Sequence, residues 1–419
     1  MSKEFLENFY IKTIEKVRNL TIVKRDLDIK IVKEKVISII GPRRAGKTYF
    51  LFQIMKDIIE NSLYLDFEDF LVKQSKSLEV LEFILTKNKK FVFLDEVQNL
   101  ENWESLVRTL LNQGYKVFIT GSSSKLLSKE IATQLRGRSL SYLLLPFSFK
   151  EFLKAKNFKT NGFITFEKKG RIMEYLKDYM YFGGYPEIVL KEIEKEKYLK
   201  EIIELVFFKD FVERKNIKNI KVAKLIFEYL LQNYTKEISL SRIKNYLNSL
   251  NLKPNLETVS NYLHDLEDTF SIFLINKFDY KVHLRESWPK KVYLVDNGLH
   301  LPFRFSDDKG KLMENLVFLH LKRQENEKPF QEIYYYKTKN NKEIDFLVKN
   351  KNKIELIEVC YEFDEDHKKK LIKAMNELKL KESFCITWDE EEIIEEKGKK
   401  IMLIPLWKWL LNNSESLKK

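Results

Sequence analysis

A chain of 419 residues exceeds what one hydrophobic core usually organises, so two to four domains are expected. Its composition, 44% hydrophobic and 33% charged, excludes a disordered or fibrous protein. Lys and Arg outnumber Asp and Glu by 75 to 62, a net charge of +13, which suits a polyanionic partner such as nucleic acid; the alternative is a proteome-wide Lys-rich habit or a thermostability signature. The first residues, MSKEFLENFYIKTIEKV, lack the apolar core of a signal peptide, and no unbroken apolar span of about 18 residues follows, so no membrane insertion is expected. Cys360 and Cys385 form no CxxC pair and have no histidine at ligand spacing, which argues against a zinc site and for a reduced, cytoplasmic setting.

Residues 1–34 read as a helical lead-in and a basic connector. Over residues 35–150, the apolar runs KVISII, SLYLDF, FVFLDE, YKVFITG and SLSYLLL alternate with helix-length segments. Continuous apolar runs mark strands covered on both faces, so this α/β pattern predicts a parallel sheet sandwiched by helices. Residues 151–217 read as a helical lid or linker, punctuated at Gly183, Gly184 and Pro186. Residues 218–295 give three helical stretches followed by SIFLINKF and KKVYLVD, the order of a winged helix-turn-helix. Its candidate recognition helix, ETVSNYLHDLEDTF, carries Glu257, Asp265, Glu267 and Asp268, which suit a protein surface; Lys244, Lys253, Lys277 and Lys281 around it suit DNA. Residues 296–419 read as a second, smaller α/β unit.

The most informative segment is GPRRAGKT, which fits G-x-x-x-x-G-K-[ST] between a predicted strand and an amphipathic helix. Gly41, Pro42, Arg43, Arg44, Ala45, Gly46, Lys47 and Thr48 are therefore expected to cradle the phosphates of ATP, with Lys47 on the β and γ oxygens and Thr48 on Mg²⁺. FVFLDEVQ ends an apolar strand in two acids: Asp95 for the magnesium shell and Glu96 to polarise the attacking water, the alternative being a helix N-cap pair. The strand YKVFITG ends in hydroxyls, of which Ser122 is the first candidate to position water, with Thr120 and Ser123 as alternatives. Arg136 and Arg138, in QLRGRS, are candidates for an arginine finger supplied by a neighbouring subunit, or for a surface pair.

In this order GPRRAGKT, LDEVQNLENW, ITGSSSKLL, LRGRSLSYLLLPFSFKEFL and FGGYPEIVL resemble the prokaryotic AAA-type ATPases with a C-terminal restriction-nuclease-like domain, over nearly the whole chain. The resemblance implies an AAA-type P-loop NTPase core, a winged-helix module and a PD-(D/E)xK nuclease-like α/β domain. It favours Arg138 as the finger, and hence a homo-oligomer. It also matches Glu314, Asp345 and Glu358 to acids that hold a second divalent metal, with Asp345 and Glu358 on neighbouring strands. Cys360 stands where that family has its lysine, a role left to Lys337 or Lys339. The expectation is an ATP- and Mg²⁺-dependent switch or motor coupled to nucleic acid, DNA before RNA. The alternatives are an ATP-gated, metal-dependent DNA nuclease and a signalling scaffold that binds protein partners.

Overall fold

A computed structural model describes residues 2–122, 135, 137–160, 162–287, 289–303 and 308–411. It separates into two compact units, Met1–Leu145 and Pro146–Lys419.

Among the described residues of the first unit, five strands form one sheet: β1 (Val36–Ile40), β2 (Ser62–Asp66), β3 (Phe91–Asp95), β4 (Lys116–Gly121) and β5 (Ser139–Leu143). Their order is β2-β3-β4-β1-β5, and every pairing is parallel. β1 is buried along its whole length, as a strand covered on both faces must be. The helix Lys47–Lys56 buries Phe50, Leu51, Phe52 and Met55 against this sheet. Phe93 stacks on Phe118 at 4.6 Å between ring centres, and Phe52 meets Tyr64 at 5.0 Å, contacts worth about 1 kcal/mol each beyond their burial. The leading helix Ser2–Asn19 adds Val17 to the same core. Arg25, in the segment that follows, is buried; its guanidinium donates to the carbonyls of Ala45 (2.9 Å) and Leu145 (2.6 Å).

The second unit opens with helices at Phe149–Ala155, Phe166–Phe182, Pro186–Leu190 and Lys195–Leu205, the last continuing into a π-helical segment, Val206–Glu213. Ser148 and Glu151 start the first of these with a reciprocal capping box. Next come the helix Ile220–Gln232, β6 (Glu237–Ile238), the helices Leu240–Ser249 and Leu256–Asp268, β7 (Ile272–Ile275) and β8 (Lys290–Leu294). β6, β8 and β7 form an antiparallel three-stranded sheet in that order. After the helix Lys309–Gln324, a mixed sheet runs β13-β14-β12-β11-β10-β9. It is made from β9 (Gln331–Lys337), β10 (Glu343–Asn350), β11 (Lys353–Val359), β12 (Glu382–Thr387), β13 (Glu392–Glu396) and β14 (Lys399–Pro405). The helix Glu365–Glu377 adds Leu371, Ala374 and Met375 to its core.

Two polar networks hold the middle of this unit together. Asn315, on a helix buried on nearly every side, exchanges hydrogen bonds with both backbone groups of Leu294 and donates to Asn297 Oδ1 at 2.8 Å. Asp296 accepts the backbone N–H groups of Gly184 at 2.7 Å and Gly298 at 2.9 Å. The turn in FGGYP is built around that carboxylate: Gly183 has φ 77°, and a Cβ there would lie 1.6 Å from Asp296 Oδ1.

Gly183→Ala combines overpacking with a strained φ and is expected to cost about 3 kcal/mol or more; an unchanged urea midpoint for the full chain would remove the junction from this account. Burial lifts the Asp296 carboxyl from 3.8 to about 6, against the two N–H donors and Arg323. The folded chain therefore holds a proton there that the unfolded chain has lost, so this contribution to stability falls as pH rises from about 4 to about 6. Asp296→Asn should flatten that part of the stability–pH curve, and an identical curve in both proteins would contradict the assignment.

Candidate functional site

The P-loop follows β1 directly. Gly41 takes φ 152° and approaches β5 so closely that a Cβ would lie 2.1 Å from the Leu144 carbonyl oxygen. Gly46, at φ 92°, then turns the chain into the helix that starts at Lys47. Parallel strands bring the carboxyl ends of β1, β2, β3 and β4 to one edge, where ligands of open α/β sheets bind. Asp66 on β2 pairs in register with Asp95 on β3, and Ile40 on β1 with Gly121 on β4.

At that edge the Asp95 carboxylate is fully buried and accepts three hydroxyl groups: Thr48 Oγ1 at 2.6 Å, Tyr64 Oη at 2.7 Å, and Thr120 Oγ1. Thr120 also accepts the backbone N–H of Glu96 at 2.8 Å. Glu96 sits in the left-handed region at φ 46°, which turns its side chain away from the strand direction. Its carboxylate accepts from Gln98 Nε2 at 2.6 Å, lies 3.4 Å from the Lys47 ammonium and bonds the Ser122 hydroxyl. Lys47 also donates to the carbonyls of Gly41 (3.2 Å) and Pro42 (3.1 Å).

These surroundings drive the neighbouring acids apart. Burial raises the Asp95 carboxyl, and the Glu96 charge raises it further, against its three hydroxyl donors. Burial would also raise Glu96, but Lys47, then Gln98, Arg43 and Ser122, carry it below the usual carboxylate range. The two adjacent acids are thus shifted in opposite directions. A third acid, Asp66, is pushed up to about 7 by burial and by the Asp95 charge.

The site thus brings together Lys47, Thr48, Asp95, Glu96, Thr120 and Ser122. Tyr64, Asp66 and Gln98 join them without having been singled out in the sequence; a tyrosine and an acid at the end of the neighbouring predicted strand were the available signal. Arg43 is ion-paired with Glu68 at 3.2 Å. Arg138 is not in this group. Its carbonyl accepts the N–H of Val36, at the start of β1, and its guanidinium donates to Asn112 at 2.6 Å. Five strand residues at about 3.3 Å each separate that level from the P-loop. Arg136 and Ser123 lie outside the described residues.

In the second unit, β10 and β11 pair Phe346 with Ile357, which sets Asp345 beside Glu358. Glu314 approaches from the helix Lys309–Gln324, and Tyr293 Oη donates to it at 2.6 Å. The lysines that meet these acids are Lys291 and Lys370, not Lys337 or Lys339. Lys337 is paired with Glu237 at 2.7 Å. Cys360 Sγ lies 3.4 Å from Cys385 Sγ, both buried. Among the described residues, no group of three or more His, Cys, Asp or Glu side chains is arranged to hold a metal ion, and no helix is long and apolar enough to cross a membrane.

Residues 33–153 match a family model described as an AAA domain, and residues 173–303 and 309–409 match two described as domains of unknown function (DUF8612 and DUF4143). The chain is 40% identical over 429 aligned positions to "Uncharacterized protein MJ1544" of Methanocaldococcus jannaschii, covering 98% of this chain and 96% of that protein. It is 31% identical over 350 residues to an uncharacterized protein of Haemophilus influenzae, covering 79% of this chain and 83% of that one. Among solved structures it is similar to Cdc6p from Pyrobaculum aerophilum, at 10% identity and a TM-score of 0.27, over 75% of this chain and 93% of that one; so low a score carries no argument. With a P-loop AAA-type domain at its start and this likeness along nearly its full length, the chain belongs to the family of the Methanocaldococcus jannaschii protein MJ1544.

Proposed function

We propose that this protein hydrolyses ATP with magnesium and works as a nucleotide-driven switch or motor whose second unit engages DNA. The observation that carries the hydrolytic reading is the cluster at the sheet edge, where Thr48 donates a hydrogen bond to Asp95 and Lys47 lies within ion-pair reach of Glu96. Thr48 Oγ1 and the Asp95 carboxylate are hard oxygen donors of the kind Mg²⁺ takes. Thr48 and Asp95 would hold such an ion, whose charge would offset that of the phosphates. Lys47 and the P-loop backbone bind and orient the phosphates. Glu96, kept ionised by Lys47, accepts hydrogen bonding from the attacking water, while Thr120 and Ser122 fix the two acids.

Coupling to DNA rests on the +13 charge and on the order of elements from Ile220 to Leu294, which matches a winged helix. Two acids of its candidate recognition helix are engaged by one lysine: Asp265 and Asp268 pair with Lys215 at 2.8 and 2.5 Å. Leu256, Glu257, Asn261 and His264 lie on the exposed face of that helix. Arg138, about five strand residues from its own P-loop, suits a finger offered to the next subunit of a homo-oligomer.

Steady-state ATPase rates should rise with duplex DNA and lose that stimulation as salt increases; equal rates with DNA, single strands or RNA at every salt would replace DNA with a protein partner. Lys47→Ala should lose nucleotide binding, while Glu96→Gln should keep it and lose about 100-fold or more in turnover. Hydrolysis undiminished in Glu96→Gln would overturn the assignment of the base. Arg138→Ala should bind ATP normally yet turn over at least about 1,000-fold more slowly, and wild-type turnover per chain should fall on dilution. Turnover independent of concentration would argue against a finger shared between subunits.

A further inference from the structure

The acids of the C-terminal domain converge on a cation that the chain supplies itself. Lys291 extends from β8 with its side chain 1% exposed, and its Nζ lies 2.7 Å from Glu314 Oε1, 2.7 Å from Glu343 Oε1 and 3.1 Å from Asp345 Oδ1. Three acceptors on three side chains use all three donors of an ammonium. Lys370 holds Glu358 in the same manner from the helix Glu365–Glu377.

We propose that Lys291 is the resident cation of this cluster: its ammonium takes the position among Glu314, Glu343 and Asp345 that a divalent metal would need, so the domain admits such a metal only when Lys291 is removed. The oxygens that face Lys291 are already committed. Asp345 Oδ1 faces Lys291 and Oδ2 accepts the Val359 N–H at 2.9 Å, while Glu314 Oε1 takes both Lys291 and the Tyr293 hydroxyl. A divalent ion needs such oxygens at about 2.0–2.6 Å, which would set two cations against each other in a dry site. The residues therefore do not fit the metal that the nuclease resemblance implies. The thiol of Cys360, facing Cys385, offers no ammonium for cleavage chemistry either.

Among the described residues, the carboxylates of Glu314, Glu343, Asp345 and Glu358 face the ammonium groups of Lys291 and Lys370. Burial and then the Asp345 charge push Glu314 up to about 8. The same two causes raise Glu358, whose buried Oε2 has no hydrogen-bond partner among the described residues, well above the usual range. Burial would lower Lys291, but Glu314, Tyr293, Asp345 and Glu343 hold it well above an ordinary lysine. The cluster thereby joins β8, the helix Lys309–Gln324 and β10 through one side chain.

The test is Mn²⁺ titration by calorimetry into the full chain without nucleotide, so that it stands apart from the ATPase reading. Wild type and Asp345→Asn should give superimposable isotherms, whatever Mn²⁺ binds at the P-loop. Lys291→Met should gain one site per chain that Lys291→Met/Asp345→Asn lacks, and Mn²⁺ should raise its melting temperature. A wild-type site that disappears in Asp345→Asn, or a folded Lys291→Met with no added site, would overturn the proposal. Should Lys291→Met fail to fold, the comparison of wild type with Asp345→Asn decides the matter by itself.

Discussion

Everything in the first unit turns on keeping a carboxylate dry. Asp95 is fully buried at the end of a central strand, and an acid in that position costs several kcal/mol unless its oxygens are met. Three hydroxyl groups meet them, from the P-loop helix, from β2 and from β4. The strand order is what makes this possible, since β3 lies between β2 and β4 and the P-loop enters from β1 on the far side of β4. Slip β4 by one residue against β3 and Thr120 would point to the opposite face, leaving both Asp95 and the Glu96 N–H without it.

The second unit uses the same device with different groups. Asp296 gathers backbone N–H groups from two turns, Asn315 satisfies both polar groups of Leu294, and Lys291 draws acids from a helix and a strand. Each joins segments far apart in the chain, where apolar packing alone is tolerant of sliding. Fully met polar networks are specific in a way that hydrophobic contact is not. FGGYP belongs to this logic, because its turn must pass within van der Waals reach of Asp296.

Much of this was legible in the residues alone. The five strands of the first sheet stand within a residue or two of the apolar runs, because strands covered on both faces show no alternation to misread. The P-loop and the acid pair are local signals, carried by contiguous residues. What stayed hidden depends on register and long-range packing. Tyr64 and Asp66 end a strand that is distant in sequence from Asp95 but adjacent in the sheet. Thr120, Ser122 and Ser123 look alike in a string of hydroxyls, and only the pairing of β3 with β4 gives Thr120 its double role. Lys291 lies in KKVYLVD, which reads as an ordinary strand, and no spacing rule connects it with Glu314 or Asp345. For the same reason nothing local in the sequence separates Lys337 from Lys291, although the partner of Lys337 is Glu237.

Lys47 has the widest consequence. Its ammonium lies 3.4 Å from Glu96 and also reaches two P-loop carbonyls. One ammonium divides its attraction among the anions around it, so any phosphate that claims Lys47 loosens its hold on Glu96. On the proposed reading of Lys47 and Glu96, the residue that recognises the nucleotide is thereby an interlock on the residue that polarises water. Occupancy of the loop and the charge of Glu96 would then be two readings of a single side chain's position.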